Sequence, residues 1–314
     1  MNRTTVIPLM GAPGIQLSKT TLKENLLDAP TQYRSISMLK EEFKPDGIFF
    51  FMDLTVEAEA LGLEIVFPEV DNPYVKEHCI KTPQDLSRIR KNWKGPCGRM
   101  EVFKDVAKLM VSNLTGLKGG YVIGPFSLAG ELVGVTDFCM LLLDDPEFAR
   151  QVIVVCTDVI TEYVELLFSQ GLDVIAVLDP TAVLLSKRQF QEFALPYFSA
   201  LISRLNKPLI YHICGDTTHI VDYMGKSRAY GLSLDSLVDL RSVVQIVPKE
   251  VKIIGNLDPV KVFLKSSPQE VEQETLRLLR DMVGIDNFIL SSGCDIPQNT
   301  PLENIAAFMK AAGR

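Results

Sequence analysis

The chain is poor in the residues that mark specialised protein classes. Its 314 residues include three histidines, one tryptophan and six cysteines. The cysteines, Cys79, Cys97, Cys139, Cys156, Cys214 and Cys294, are too sparse for a disulfide scaffold, and a reducing compartment would keep them as thiols. No block of five or six basic residues occurs, and 39 acidic side chains outnumber 32 basic ones. That balance argues against nucleic acid or an anionic membrane as the main partner. No apolar stretch approaches the roughly 18 residues needed to span a bilayer. Met1–Pro8 lacks the apolar core of a signal peptide, so a cytoplasmic location is expected. There is no Gly-, Pro- or Ser-rich linker, internal repeat or low-complexity tract, which predicts one domain over residues 1–314.

What the chain does have is apolar material: 47% of its residues are hydrophobic and 23% charged, enough to bury a large core. Short apolar runs alternate with long helical patterns, the sign of parallel βα units. Strands are predicted at Thr5–Leu9, Gly47–Met52, Gly120–Ile123, Asp173–Leu178, Pro208–Ile213, Gly231–Leu234, Val251–Ile254 and Asn287–Leu290. Between them the apolar spacing predicts helices such as 146–170, which stops at Gly171. Ser267-Pro268 and Thr300-Pro301 read as further helix starts. Cys139 and Cys156 fall in helical apolar patterns and read as core. Residues 63–94, with Pro68, Pro73, Pro83 and the single Trp93, interrupt the alternation and read as a hairpin or lid insertion.

Eight such units predict a (β/α)8 TIM barrel, whose active sites lie at the carboxyl ends of the strands. The informative polar residues end strands: Asp53, Asp179, Asp235, Asn256, His212 with Cys214, and Cys294. His212 and Cys214 are two residues apart and share one face of a strand, and Cys294 closes another apolar run, so the three can meet at one rim. One imidazole and two thiols match a catalytic zinc site with an open fourth position. On spacing alone, a core histidine with two inert thiols remains the simpler reading.

Several segments together resemble the uroporphyrinogen decarboxylase superfamily and, within it, the corrinoid-dependent methyltransferase branch. They are Phe51–Gly62, Gly124–Gly130, Tyr211–Gly215, Gly255–Pro259, and Ser292–Asp295 followed by Thr300–Asn304. The resemblance implies a barrel with Zn²⁺ held by His212, Cys214 and Cys294. It also implies transfer of a methyl group from a methylated corrinoid to a thiol such as coenzyme M. The decarboxylases themselves use arginines in an amino-terminal loop and an aspartate at the second strand. Asp53 matches that aspartate, but Met10–Leu17 has no arginine to meet an acidic porphyrinogen, which makes a non-metal lyase the lesser alternative.

Asp53, Asp179 and Asp235 are the candidate catalytic residues. Asp53 either acts on substrate or caps the turn after its strand; for Asp179 and Asp235 the sharper role is support of the zinc ligands. Asn256 is the candidate cofactor contact. The nearest approach to a cobalamin-binding Asp-x-His-x-x-Gly motif, Asp216–Gly225, has the wrong spacing, so the methylcorrinoid is expected on a separate protein. His219 reads as a polar residue at a helix start and His78 as a surface residue. Ser186-Lys187-Arg188 is either a sulfonate site at a helix start or an ordinary cap with solvated charges.

Overall fold

The computed structural model describes residues 3–69 and 71–314. In chain order its strands are β1 (Thr5–Val6), β2 (Gly47–Phe49), β3 (Ile65–Val66), β4 (Tyr74–Val75), β5 (Leu117–Ile123), β6 (Val174–Leu178), β7 (Leu209–Ile213), β8 (Gly231–Leu234), β9 (Lys252–Leu257) and β10 (Phe288–Ser292). Eight of them form one sheet in the order β1-β10-β9-β8-β7-β6-β5-β2, with every pairing parallel. The chain is a (β/α)8 barrel. Helices cover the outer face, so β6 and β7 are buried along their whole length; β6 is continuously apolar and β7 is so but for His212.

β1 and β2 are the two ends of the ladder, and one residue, Asp46, draws them together through its backbone and its side chain. The Asp46 N–H donates to the Val6 carbonyl at 2.9 Å and the Asp46 carbonyl accepts from Leu117 at 3.0 Å. The Asp46 carboxylate accepts from the Val6 N–H at 2.8 Å and is paired with Arg314. Arg314 also donates to the Thr4 carbonyl at 2.7 Å.

Seven of the barrel strands begin within one residue of where the apolar runs predict, whereas β5 begins at Leu117, three residues before the expected Gly120, and several strands end elsewhere. β1 and β2 are shorter than expected because side chains take over as backbone partners. Leu9 N–H donates to Ser292 Oγ at 3.1 Å, and Phe51 N–H donates to Gln32 Oε1 at 3.0 Å. β9 and β10 run further than expected, because Ser291 pairs with Asn256 and Ser292 with Leu257. The predicted 146–170 helix is Pro146–Ser169, its first turn capped by Asp145, which accepts from Phe148 N–H at 3.0 Å. It buries Cys156, whose thiol burial pushes up. Cys139 lies half-buried in helix Val135–Asp144. Between β2 and β5, β3 and β4 form an antiparallel hairpin outside the barrel, followed by helices Pro83–Asn92 and Arg99–Asn113. Among the described residues no single helix is long and apolar enough to cross a membrane.

Helix Val56–Ala60 carries one acid into the core. Glu57 is fully buried; its Oε1 accepts from Ile123 N–H at 3.0 Å, while Oε2 has no hydrogen-bond partner. Burial first, and then the charge of Asp53, raise its carboxyl to about 8 against the pull of the Ile123 hydrogen bond and Arg99.

Two outcomes are expected. Asp46→Ala should lower unfolding free energy by about 2 kcal/mol, the scale of a lost charge-assisted hydrogen bond, read from urea denaturation midpoints. For Glu57 the folded state holds a proton that the unfolded state has lost between about pH 4.5 and 8. Its stabilising contribution is therefore complete below that window and disappears as pH rises through it. Between pH 5.5 and 8.5 the wild type should lose on the order of 3 kcal/mol more than Glu57→Gln, at roughly 1.4 kcal/mol per pKa unit. Parallel denaturation curves for the two proteins at both pH values would contradict this.

Candidate metal centre

His212 and Cys214 come from the end of β7 and Cys294 from the residues after β10. His212 Nε2 lies 3.1 Å from Cys214 Sγ, and Cys214 Sγ lies 3.5 Å from Cys294 Sγ. The sulfur separation is far beyond a disulfide's roughly 2.05 Å, and both cysteines are free. All three donor atoms fall within 4.8 Å of one another. Ligands of a tetrahedral ion, bound at about 2.0 to 2.3 Å, sit roughly 3.5 to 3.8 Å apart. The sulfur separation falls in that range and the 3.1 Å Nε2–Sγ separation a little below it, so the donor set suits a single zinc ion.

The imidazole is aimed by a residue that the sequence reading did not single out. His212 Nδ1 lies 3.0 Å from both the carbonyl and the hydroxyl of Ser233, which is its register partner on β8. A carbonyl only accepts, so Nδ1 carries the proton and the Nε2 lone pair faces the sulfurs. Ser233 stands near the end of β8, and the register of β7 with β8 brings it to the imidazole. Burial pulls the His212 pKa down, but the hydrogen bond and charge of Cys294, with help from Ser233, bring the net shift upward. The hydrogen bond between the thiols lowers Cys214 and, together with burial, raises Cys294.

Around this cluster the aspartates divide by position. Asp235 Oδ2 accepts from the Gly215 N–H at 2.9 Å and Oδ1 from Leu237 N–H at 3.1 Å, so it braces the turn that follows Cys214. That turn needs glycine, since Gly215 has φ +87°. Asp179 is buried; its Oδ1 accepts from Ser127 N–H at 2.7 Å and its Oδ2 from the Tyr211 hydroxyl at 3.2 Å. Burial raises its carboxyl to about 6 against those hydrogen bonds. It does not touch the His212 ring; its own N–H donates to the His212 carbonyl at 2.8 Å. A Cβ at Gly124 would collide with the Asp179 carboxylate, which is why glycine opens the Gly124-Pro-Phe-Ser segment.

Asp53 both caps its turn and faces the open space. Its Oδ1 accepts from Thr55 N–H at 2.8 Å and Thr55 Oγ1 at 2.7 Å, and Oδ2 is paired with Arg99. Arg99, only 4% exposed, also donates through Nε to Glu59 at 2.6 Å and through a terminal nitrogen to Thr55 Oγ1 at 2.7 Å. This arginine, at the start of its helix, was not picked out from sequence. Asn256 turns elsewhere: its amide donates to the Asp235 and Val238 carbonyls at 2.8 and 2.7 Å. It lines a separate, larger groove between the loops after β8 and β9 and helix Pro268–Asp281.

The donor cluster forms the floor of a cavity of about 520 Å³ at the carboxyl ends of the strands, lined also by Asp53, Tyr74, Glu131 and Asp295. Asp295 Oδ1 is out of contact with solvent and has no hydrogen-bond partner. Burial raises the Glu131 carboxyl as well, against the charge of His78. Ser186 caps its own helix through Gln189, with Lys187 and Arg188 exposed. His219 Nε2 donates to the Leu185 carbonyl at 2.9 Å, and exposed His78 donates through Nδ1 to the Glu131 carbonyl at 2.8 Å.

Comparison with known proteins places this geometry in context. The family model for uroporphyrinogen decarboxylase (URO-D) matches residues 17–314. A methylcobamide:CoM methyltransferase of Methanosarcina acetivorans is 31% identical over 269 residues, covering 83% of this chain and 77% of that protein. A uroporphyrinogen decarboxylase of Nostoc punctiforme is 27% identical over 284 residues, covering 86% of this chain and 78% of its own. In fold, a solved methyltransferase structure from Methanosarcina mazei matches with a TM-score of 0.88 at 22% identity, covering 100% of this chain and 94% of that one.

Proposed function

The chain belongs to the uroporphyrinogen decarboxylase family, and from that premise we propose that it is a zinc-dependent methyltransferase moving a methyl group from a methylated corrinoid, carried on a separate protein, to a thiol. The observation that carries the reading is the cluster of His212, Cys214 and Cys294, with donor atoms within 4.8 Å of one another at the floor of an open cavity. The similarity to a methylcobamide:CoM methyltransferase supports the donor and acceptor classes. A reducing cytoplasm would keep both thiols available.

His212, Cys214 and Cys294 would hold the ion, and Ser233 fixes the tautomer that leaves Nε2 free to bind. Asp235 holds the turn carrying Cys214 through the Gly215 N–H. Held by these two thiolates and the imidazole, a zinc ion would supply a site that lowers the pKa of an incoming thiol while leaving its sulfur nucleophilic. In the overall reaction the acceptor sulfur gains a bond to the methyl carbon, the cobalt–carbon bond breaks with its electron pair remaining on cobalt, and the thiol proton leaves to solvent. Buried Asp53 is held by Arg99 and Thr55, which keeps that wall of the cavity in place.

Decarboxylation of a porphyrinogen fits less well. Among the described residues lining the cavity none is an arginine or lysine, and Arg99 is already engaged by two carboxylates.

Freshly purified protein should contain about one zinc per chain and demethylate methylcobalamin in the presence of a thiol, followed by the corrinoid's visible absorbance. Cys294→Ala and His212→Ala should each lower zinc occupancy and cut turnover by at least about a hundredfold. Metal-free protein that remains active, or variants that keep full turnover, would overturn the proposal.

A further inference from the structure

The two sulfurs of the donor cluster are held close by the protein itself. Cys214 Sγ and Cys294 Sγ lie 3.5 Å apart. Both thiols are free and half-buried, and both line the cavity of about 520 Å³ at the carboxyl ends of the strands. The backbone beside each one is anchored. Gly215 N–H, next to Cys214, donates to Asp235 Oδ2 at 2.9 Å. Gly293 N–H, next to Cys294, donates to the Leu257 carbonyl at 2.7 Å, and a Cβ on Gly293 would come 2.6 Å from the Ser236 nitrogen. None of these contacts uses a donor atom of the cluster, so they keep the thiols together with or without an ion.

A disulfide has its sulfurs at about 2.05 Å, so the pair must close by roughly 1.5 Å, a movement on the scale of side-chain rotation. Other cysteines are placed differently. Cys156 is fully buried in helix Pro146–Ser169, and exposed Cys97 donates to the Ala60 carbonyl at 3.6 Å. Two thiols set side by side in a cavity react with each other faster than with a thiol from solution, because the second step is intramolecular.

We propose that Cys214 and Cys294 form an intramolecular disulfide when the ion is absent and a small disulfide oxidant is present, and that this bond closes the site to metal until a thiol reduces it. One protein thiol attacks the oxidant RSSR and releases RSH; the other attacks the mixed disulfide and releases a second RSH. One S–S bond breaks, one forms, and the two thiol hydrogens leave on the two RSH molecules. The bonded sulfurs no longer offer thiolates, so His212 alone remains of the three donors. Bound zinc engages the same sulfurs and shields them from the oxidant. In a reducing compartment the site stays open, and an excess of oxidised thiol closes it. The bond is independent of the methyl-transfer reading; its effect on metal rests on the zinc reading.

Full-length protein stripped of metal with a chelator and exposed to bis(2-hydroxyethyl) disulfide provides the test. Two of the six thiols should be lost to titration under denaturing conditions, with the intact mass lower by two hydrogens and a cross-linked peptide joining Cys214 to Cys294. Added zinc should fail to bind until dithiothreitol restores the thiols, and zinc-loaded protein should oxidise at least about tenfold more slowly. The triple variant Cys79→Ser, Cys97→Ser, Cys139→Ser should behave in the same way, whereas Cys294→Ser should take up one 2-mercaptoethanol at Cys214 and form no cross-link. Retention of all six thiols, adducts on Cys214 and Cys294 without closure, or a cross-link joining other cysteines would overturn the inference. If the bond forms in protein whose reduced state binds no zinc, the disulfide stands and the gating of metal falls with the zinc reading. If reduced protein binds zinc and no bond forms, the zinc reading stands and this inference falls.

Discussion

Closure of the barrel is the constraint on which the site depends. Cys214 and Cys294 are 80 residues apart in the chain yet their sulfurs lie 3.5 Å apart, because the sheet carries the ends of β7 and β10 to one rim. The same closure sets His212 beside Ser233 in register, which aims the imidazole. It relies on Asp46, which links the two ends of the ladder through both its backbone and its carboxylate. A barrel left open between β1 and β2 would leave the strand ends free to drift, and three-ligand geometry tolerates little drift.

Much of this was legible in the chain itself. Apolar runs of five or so residues, each followed by a polar residue or glycine, placed all eight barrel strands. Period-two parity put His212 and Cys214 on one face, and the rule that barrel sites lie at strand carboxyl ends brought Cys294 to them. Residues 63–94 showed their departure from the alternation through proline, and β3 and β4 pair there as a hairpin.

What escaped depends on contacts that no local pattern encodes. Strand ends were misjudged where Gln32 and Ser292 supply side-chain partners to backbone groups. Ser233 could be assigned to the imidazole only once the register of β7 with β8 was known. Arg99 meets Asp53 across 46 residues, and only the fold reveals that this arginine is buried rather than solvated. The amide of Asn256, the candidate cofactor contact, holds the loop after β8 through the Asp235 and Val238 carbonyls, a tie between segments that no local pattern announces.

The central claim is that His212, Cys214 and Cys294 bind one zinc ion. Zinc-edge X-ray absorption of the purified protein tests it most directly, since scattering distances separate nitrogen from sulfur. Two sulfur ligands near about 2.3 Å and one histidine nitrogen near about 2.0 to 2.1 Å are predicted, with one sulfur lost in Cys294→Ala. A zinc shell of oxygen and nitrogen alone, or purified protein with no zinc, would contradict the account.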